Sequence, residues 1–356
     1  MSAIAFSHRF SEKMAASNAV FYVNKKGKIS FRKHPKNVQG LKEAVAKIQN
    51  LAPVIGGLSP EGQGHFCYNL HKLKVACPFT YALTTTLDLA HYSPLVSAAN
   101  YALFHATTYQ RPKPGEVPLP TDHGGLFFGP YGCSAVICDG MGHADPINIG
   151  KVAAEITHRL LLRPLPANKA PYVASLQELN REFRCREGTS LIEVFFSKVP
   201  EGVEVTFGRA GDSDLILVDR RGKVLFATLD PKKLLDDDKK PIGLLGIGGG
   251  WSDAWLKNVD FSKFSTPHCL AIVASDGLTA LFHDPETGLL DNPRFEYALG
   301  TGTYLPPGAP LPSVPERDYS APIVINHLAK AARAAAEKVQ GGDDTLIIVI
   351  DTEAIF

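Results

Sequence analysis

Two periods of apolar residues divide this chain into short strands and amphipathic helices. AVFYVNKKGKISFRKH (19–34) has β-rich runs on either side of Lys26-Gly27 and predicts a hairpin. Just after it, Leu41, Val45, Ile48 and Leu51 fall at helical spacing, and GGLSPEGQG (56–64) breaks that pattern. YALFHATTYQ (101–110) reads as a strand. RPKPGEVPLPTDHGG (111–125) and LPPGAPLPSVPERD (305–318) read as loops, because proline removes ladder donors. SAVICDG (134–140) is a short strand stopped by Asp-Gly. PINIGKVAAEITHRLLLR (146–163) is an amphipathic helix with Pro146 suited to its first turn. SLQELNREFRCRE (175–187) predicts a further helix. LIEVFFSKV, VEVTFGRA, DLILVDRRGKVLFATLD and CLAIVAS are β-type runs joined by short turns. APIVINHLAKAARAAAEKVQ (321–340) is helical, and TLIIVID (345–351) is a closing strand. Helices set between strand meanders suggest sheet-on-sheet packing with helices outside, an α+β layout rather than a parallel βαβ one. There is no internal repeat.

Composition narrows this picture without changing it. At 356 residues, 45% hydrophobic and 21% charged, the chain has the composition of a globular protein; disorder and a disulfide-stapled miniprotein are excluded. His8, Arg9, Glu12 and Lys13 interrupt the apolar residues at the start, so no secretory signal is expected. No apolar run approaches the length of a transmembrane segment. Six scattered cysteines fit reduced thiols and a cytoplasmic setting; delivery to another cell by a specialised secretion route would leave the same signature. The charge is asymmetric. Residues 1–50 hold ten Lys and Arg against Glu12 and Glu43, a net +8, which leaves −7 for the remainder within a total of +1. Such a basic leader can mark nucleic acid, an acidic partner or an anionic membrane, or be a solvated hairpin and helix face; of these an acidic partner is the expectation kept, and no nucleic acid is expected.

Several common chemistries are absent. None of the residues six after the cysteines (Leu73, Leu83, Asp139, Ala144, Leu191, Ser275) is the arginine that a cysteine phosphatase requires. There is no G-x-S-x-G elbow, and GIGGGW lacks both a dinucleotide fingerprint and a P-loop lysine. Cys133 and Cys138 are an odd number of positions apart on one strand, so they face opposite sides and cannot share a zinc ion. Cys67, His71 and Cys77 lack a paired C-x2-C and read as core residues.

What remains is a set of aspartates at strand ends. Asp139 follows SAVIC and precedes Gly140; Asp276 follows CLAIVAS and precedes Gly277. Asp343 follows Gly341-Gly342 just before TLIIVI, and Asp212 sits in the AGDSD turn. Asp-Gly after a strand is also an ordinary turn signal. Converging carboxylates, however, repel one another unless cations separate them, and hard divalent ions with oxygen ligands suit such a cluster. On spacing alone both readings stand.

The motifs carry a resemblance. ICDGMGHADPINIGKVAAEI resembles the D-G-M-G-G-H segment and following helix of bacterial PP2C-type metal-dependent protein phosphatases. GRAGDSDLILVDRRGKV is similar to that family's V-G-D-S-R hairpin, and CLAIVASDGLTALF to its L-x-x-x-S-D-G-L segment. GGDDTLIIVID resembles its D-N-x-T-V-V-V ending, and still more the D-D-x-T-L-L-V ending of SpoIIE-like members. Order and spacing agree from about residue 97 to the C-terminus. The resemblance implies a four-layer α-β-β-α sandwich of two antiparallel sheets with flanking helices over 97–356. Residues 1–96 would then form a basic α+β extension.

The resemblance also implies a site. Asp139 would bridge two Mg2+ or Mn2+ ions, with the Gly140 carbonyl joining one and Asp276 and Asp343 ligating the second. Asp212 would help to hold a third, weaker ion. Asp122, 17 positions before Asp139, matches the family's first metal aspartate, although Pro120 stands where the family has asparagine. Arg111 would grip phosphate. His123 would protonate the departing serine or threonine oxygen, with His143 a second candidate. His143 replaces a glycine, Asp214 an arginine and Ala280 an aspartate of the family pattern. The activity implied is hydrolysis of phosphoserine and phosphothreonine on a phosphorylated protein substrate, by attack of a metal-bridging hydroxide on phosphorus. The departures around Asp122 and at Ala280 motivate an alternative, a pseudophosphatase that binds a partner without turnover.

Overall fold

The computed structural model describes residues 5–7, 21–24, 29–31, 96–98, 101–106, 121–129, 132–141, 146–161, 165–183, 187–228, 246–250, 253–284, 286–314, 317–338 and 344–354. Near the N-terminus, β1 (Ala5–Ser7) runs parallel to β2 (Phe21–Asn24), and β2 pairs antiparallel with β3 (Ile29–Phe31). The last two strands are the hairpin expected around Lys26-Gly27. The helix expected over 41–51 lies outside the described residues.

The rest of the described chain forms two antiparallel sheets. One contains β4 (Val96–Ala98), β5 (Tyr101–Ala106), β10 (Asp214–Val218), β11 (Val224–Ala227), β13 (Leu270–Ala274) and β14 (Thr345–Asp351), in the order β11-β10-β13-β14-β5-β4. The other contains β6 (His123–Gly129), β7 (Gly132–Met141), β8 (Gly188–Val199), β9 (Gly202–Ala210) and β12 (Asp260–Thr266), in the order β12-β9-β8-β7-β6. Every strand pairing in both sheets is antiparallel.

Strand alternation explains the layering. On β7, Cys133, Ala135 and Ile137 join the core between the sheets, which also takes Leu215 and Leu217 of β10 and Leu346, Ile348 and Ile350 of β14. Val136 and Cys138 point the other way, to α1 (Pro146–Leu161) and α2 (Lys169–Phe183). The two cysteines therefore do face opposite sides. Across the sandwich, Ile216, Ile272, Ile347 and Val349 face α4 (Asn292–Thr301) and α5 (Ala321–Lys338), while α3 (Asp276–Thr279) is one turn at the end of β13. The result is α-β-β-α, as expected. Among the described residues no helix is long and apolar enough to cross a membrane.

Two boundaries differ from the sequence reading. The helix expected from residue 175 starts at Lys169, because Tyr172, Leu176, Leu179 and Phe183 form one continuous buried stripe and Pro171 is tolerated in a first turn. The loop expected over 111–125 already becomes strand at His123. Gly124 carries a loop signal in sequence, yet a Cβ there would lie 2.6 Å from Leu346 Cδ2 and 2.9 Å from the Val136 carbonyl oxygen. The glycine is needed because β14 and β7 crowd it. The structure also adds β12 at an edge and α4, which is capped by Asp291 accepting the Arg294 N–H and ends at Gly302 with φ 72°.

Candidate metal centre

Parity on β7 decides where Asp139 goes. It shares the face of Ala135 and Ile137, so at the strand end its buried carboxylate enters the gap between the sheets. Asp276 opens α3 directly after its buried N-cap Ser275, which follows the last residue of β13, Ala274. Asp212 arrives differently. β9 belongs to the five-stranded sheet and β10 to the six-stranded one, so Gly211, Asp212 and Ser213 carry the chain across the gap. Gly211 has φ 116°, and a Cβ there would lie 2.1 Å from Cβ of Ser190, the ladder partner of Asp139. The crossing therefore presses Asp212 towards Asp139. Each of Asp139, Asp212 and Asp276 offers a carboxylate oxygen, and the three oxygens lie within 4.8 Å of one another.

A second set of contacts ties the rim together. Thr121 donates both its N–H and its hydroxyl to Asp344 Oδ2, each at 2.7 Å, joining the start of β6 to the start of β14 across the two sheets. A Cβ on Gly140 would lie 2.5 Å from the Thr121 carbonyl oxygen, and one on Gly277 would lie 2.0 Å from that of Asp344. Both glycines of the Asp-Gly pairs thus admit neighbouring backbone. Thr189 hydroxyl donates to the Asp139 carbonyl at 2.7 Å, which holds that strand end in place.

The register His123↔Cys138 sets the next two residues. Cys138 faces α1, so the buried His123 ring lies on the same outward face. Asp122 is buried immediately before β6, but its carboxylate is not one of the three that converge among the described residues. Arg111, His143 and Asp343 lie outside the described residues. Asp214, read as a departure from the G-D-S-R pattern, is buried against Arg209 at 2.7 Å. Neither that ion pair nor the Thr121–Asp344 link was anticipated. The only local signals were the Asp343-Asp344 doublet and the flanking of Asp212 by Arg209 and Asp214.

The donor set fits a hard divalent cation. Three carboxylates, from β7, α3 and the β9–β10 crossing, converge, and ligand oxygens on opposite sides of a magnesium ion are about 4.2 Å apart, given Mg–O lengths near 2.1 Å. Without a cation these oxygens would repel. Among the described cysteines, thiol chemistry has no comparable support. Burial pushes the Cys269 thiol up to about 11, and burial likewise raises that of Cys133.

No protein-family model matches the sequence, and no curated protein matches it. Among solved structures the chain is similar to RsbX in complex with magnesium, at 12% identity and a TM-score of 0.44, covering 73% of this chain and 99% of that one. It is similar to the serine/threonine phosphatase of S. agalactiae at 13% identity and a TM-score of 0.45, covering 70% of this chain and 98% of that one. A third similar structure is the PP2C phosphatase domain with a fragment of the regulatory domain of SpoIIE from Bacillus subtilis. There the identity is 14% and the TM-score 0.44, with 70% of this chain and 62% of that one covered.

Proposed function

We propose that this chain is a Mg2+- or Mn2+-dependent protein phosphatase of the PP2C/SpoIIE-like kind, hydrolysing phosphoserine and phosphothreonine on a protein substrate. The observation that carries the reading is the convergence of Asp139 on β7, Asp212 in the β9–β10 crossing and Asp276 on α3, within 4.8 Å. The four sequence motifs in family order support it as well. Asp122, Asp139, Asp276 and Asp343, the Gly140 carbonyl and Asp212 would hold the ions. Bound divalent ions would supply acidification of water and neutralisation of charge on the phosphoryl oxygens. The chain's own contribution is orientation. β7 aims Asp139 into the gap, the three-residue crossing places Asp212, and α3 presents Asp276. The catalytic unit would span 97–356, with 1–96 as an extension; β4, starting at Val96, is an edge strand of the six-stranded sheet.

Hydrolysis of p-nitrophenyl phosphate and of a phosphothreonine peptide, with and without Mn2+, tests this. Turnover should require the ion, cease on chelation and fall by about a hundredfold or more in Asp139→Asn. Mn2+ binding without turnover on either substrate would favour the pseudophosphatase instead.

A further inference from the structure

We infer that Arg209 and Asp214 form a positioning pair that sets the geometry of Asp212 and Asp276, a role that rests on the metal-centre reading above. The two residues bracket the crossing between the sheets, Arg209 near the end of β9 and Asp214 at the start of β10. Both side chains are 1% exposed, and Arg209 Nη1 meets Asp214 Oδ1 at 2.7 Å. That oxygen also accepts the Thr228 hydroxyl at 2.6 Å, and Thr228 in turn accepts the Leu215 N–H at 3.1 Å. Arg209 Nη2 reaches Asp260 on β12 at 3.2 Å, and His283 Nε2 lies 3.8 Å from Asp214 Oδ2. The pair thus closes a tight ring around Gly211, Asp212 and Ser213 and ties it to β11, β12 and the segment after α3.

Position gives the pair its leverage. Asp214 is two residues after Asp212, and its ladder partner is Ala274, two residues before Asp276. The backbone of Asp214 is thus two residues from Asp212 along the chain and, through its ladder partner, two residues from Asp276. Stability alone does not account for such a pair. Removing two charges from water is costly, and well-packed apolar replacements of buried ion pairs are often neutral or stabilising. A directional contact, in which Asp214 Oδ1 accepts from both Arg209 and Thr228, does what an apolar contact cannot, which is to fix the angle at which the crossing presents Asp212.

The test separates geometry from stability. Mn2+ binding to the full chain is measured from the loss of the free-ion electron paramagnetic resonance signal, and stability from urea unfolding. The double variant Arg209→Met/Asp214→Leu should unfold near the wild-type urea midpoint yet bind Mn2+ about tenfold or more weakly. Its turnover at saturating Mn2+ should recover towards wild type, so the change lies in ion affinity. Should the double variant not fold, Thr228→Val, which removes one hydrogen bond to Asp214, is compared with the remote core variant Phe295→Leu. Weaker Mn2+ binding in Thr228→Val alone supports the inference. Equal weakening in both, or unchanged binding in a folded double variant, overturns it. Failure of the wild-type chain to bind Mn2+ overturns the metal-centre reading and this inference together.

Discussion

Asp343 and Asp344 are adjacent and chemically identical, yet the contacts of Asp344 give it a specific structural task. Its carboxylate receives two hydrogen bonds from Thr121, and its carbonyl packs on Gly277 and lies 3.4 Å from the Ser275 hydroxyl. Asp344→Ala would leave the buried Thr121 N–H and hydroxyl without their acceptor. Stranded buried donors cost about 1–3 kcal/mol each, so urea unfolding should show a loss of about 2–6 kcal/mol. Thr121→Val, which keeps the N–H bond, should lose about half as much. His123 illustrates the converse. A histidine beside a candidate metal aspartate invites a catalytic role, but its ladder position turns the ring towards α1.

At the scale of elements, α4 and α5 are joined by a titrating contact. His327 on α5 hydrogen-bonds through Nδ1 to the Leu299 carbonyl on α4 at 2.7 Å, and Arg317 lies 3.1 Å from the same ring. Burial lowers the imidazole pKa from its usual 6.5. The Leu299 bond opposes that shift, and Arg317 and Lys330 add to it. Because the folded value is the lower, the unfolded chain binds more protons as pH falls below about 6.5. The stability attached to neutral His327 is therefore complete above that pH and is lost as pH drops through the folded value. Urea midpoints measured between pH 8 and pH 5 should fall towards acid. His327→Gln should flatten that slope.

Elements were legible to different degrees, for physical reasons. α1, α5, β13 and β14 stand out because each is either an amphipathic stripe or an uninterrupted apolar strand buried on both faces. β6 is hidden because Gly124, a loop signal in sequence, answers a close approach of β14 and β7 that only packing creates. The first turn of α2 was hidden by Pro171, which helices accept only near their start.

For the whole molecule, two sheets converge on one rim where Asp139, Asp212 and Asp276 concentrate negative charge. An ion that binds only the folded chain stabilises it by mass action, by about 2.7 kcal/mol at a hundred times its Kd. The thermal midpoint should rise with Mn2+ concentration and return to its starting value with chelator, and Asp139→Asn should abolish the response. A midpoint indifferent to Mn2+ would count against the metal centre.

Local pattern by itself determined much of this protein. Period-two alternation separates inward from outward residues on β7, and so dictates that Cys133 and Cys138 part and that Asp139 follows Ile137 into the gap. Strand ends marked by Asp-Gly were equally plain. Which aspartates meet was decided only in three dimensions. Asp212 joins Asp139 and Asp276 because β9 and β10, neighbours in sequence, belong to opposite sheets. Arg209 answers Asp214 for the same reason. Alternation records which face a residue takes, since that depends on its own strand; which strands face each other depends on long-range pairing that no local period encodes.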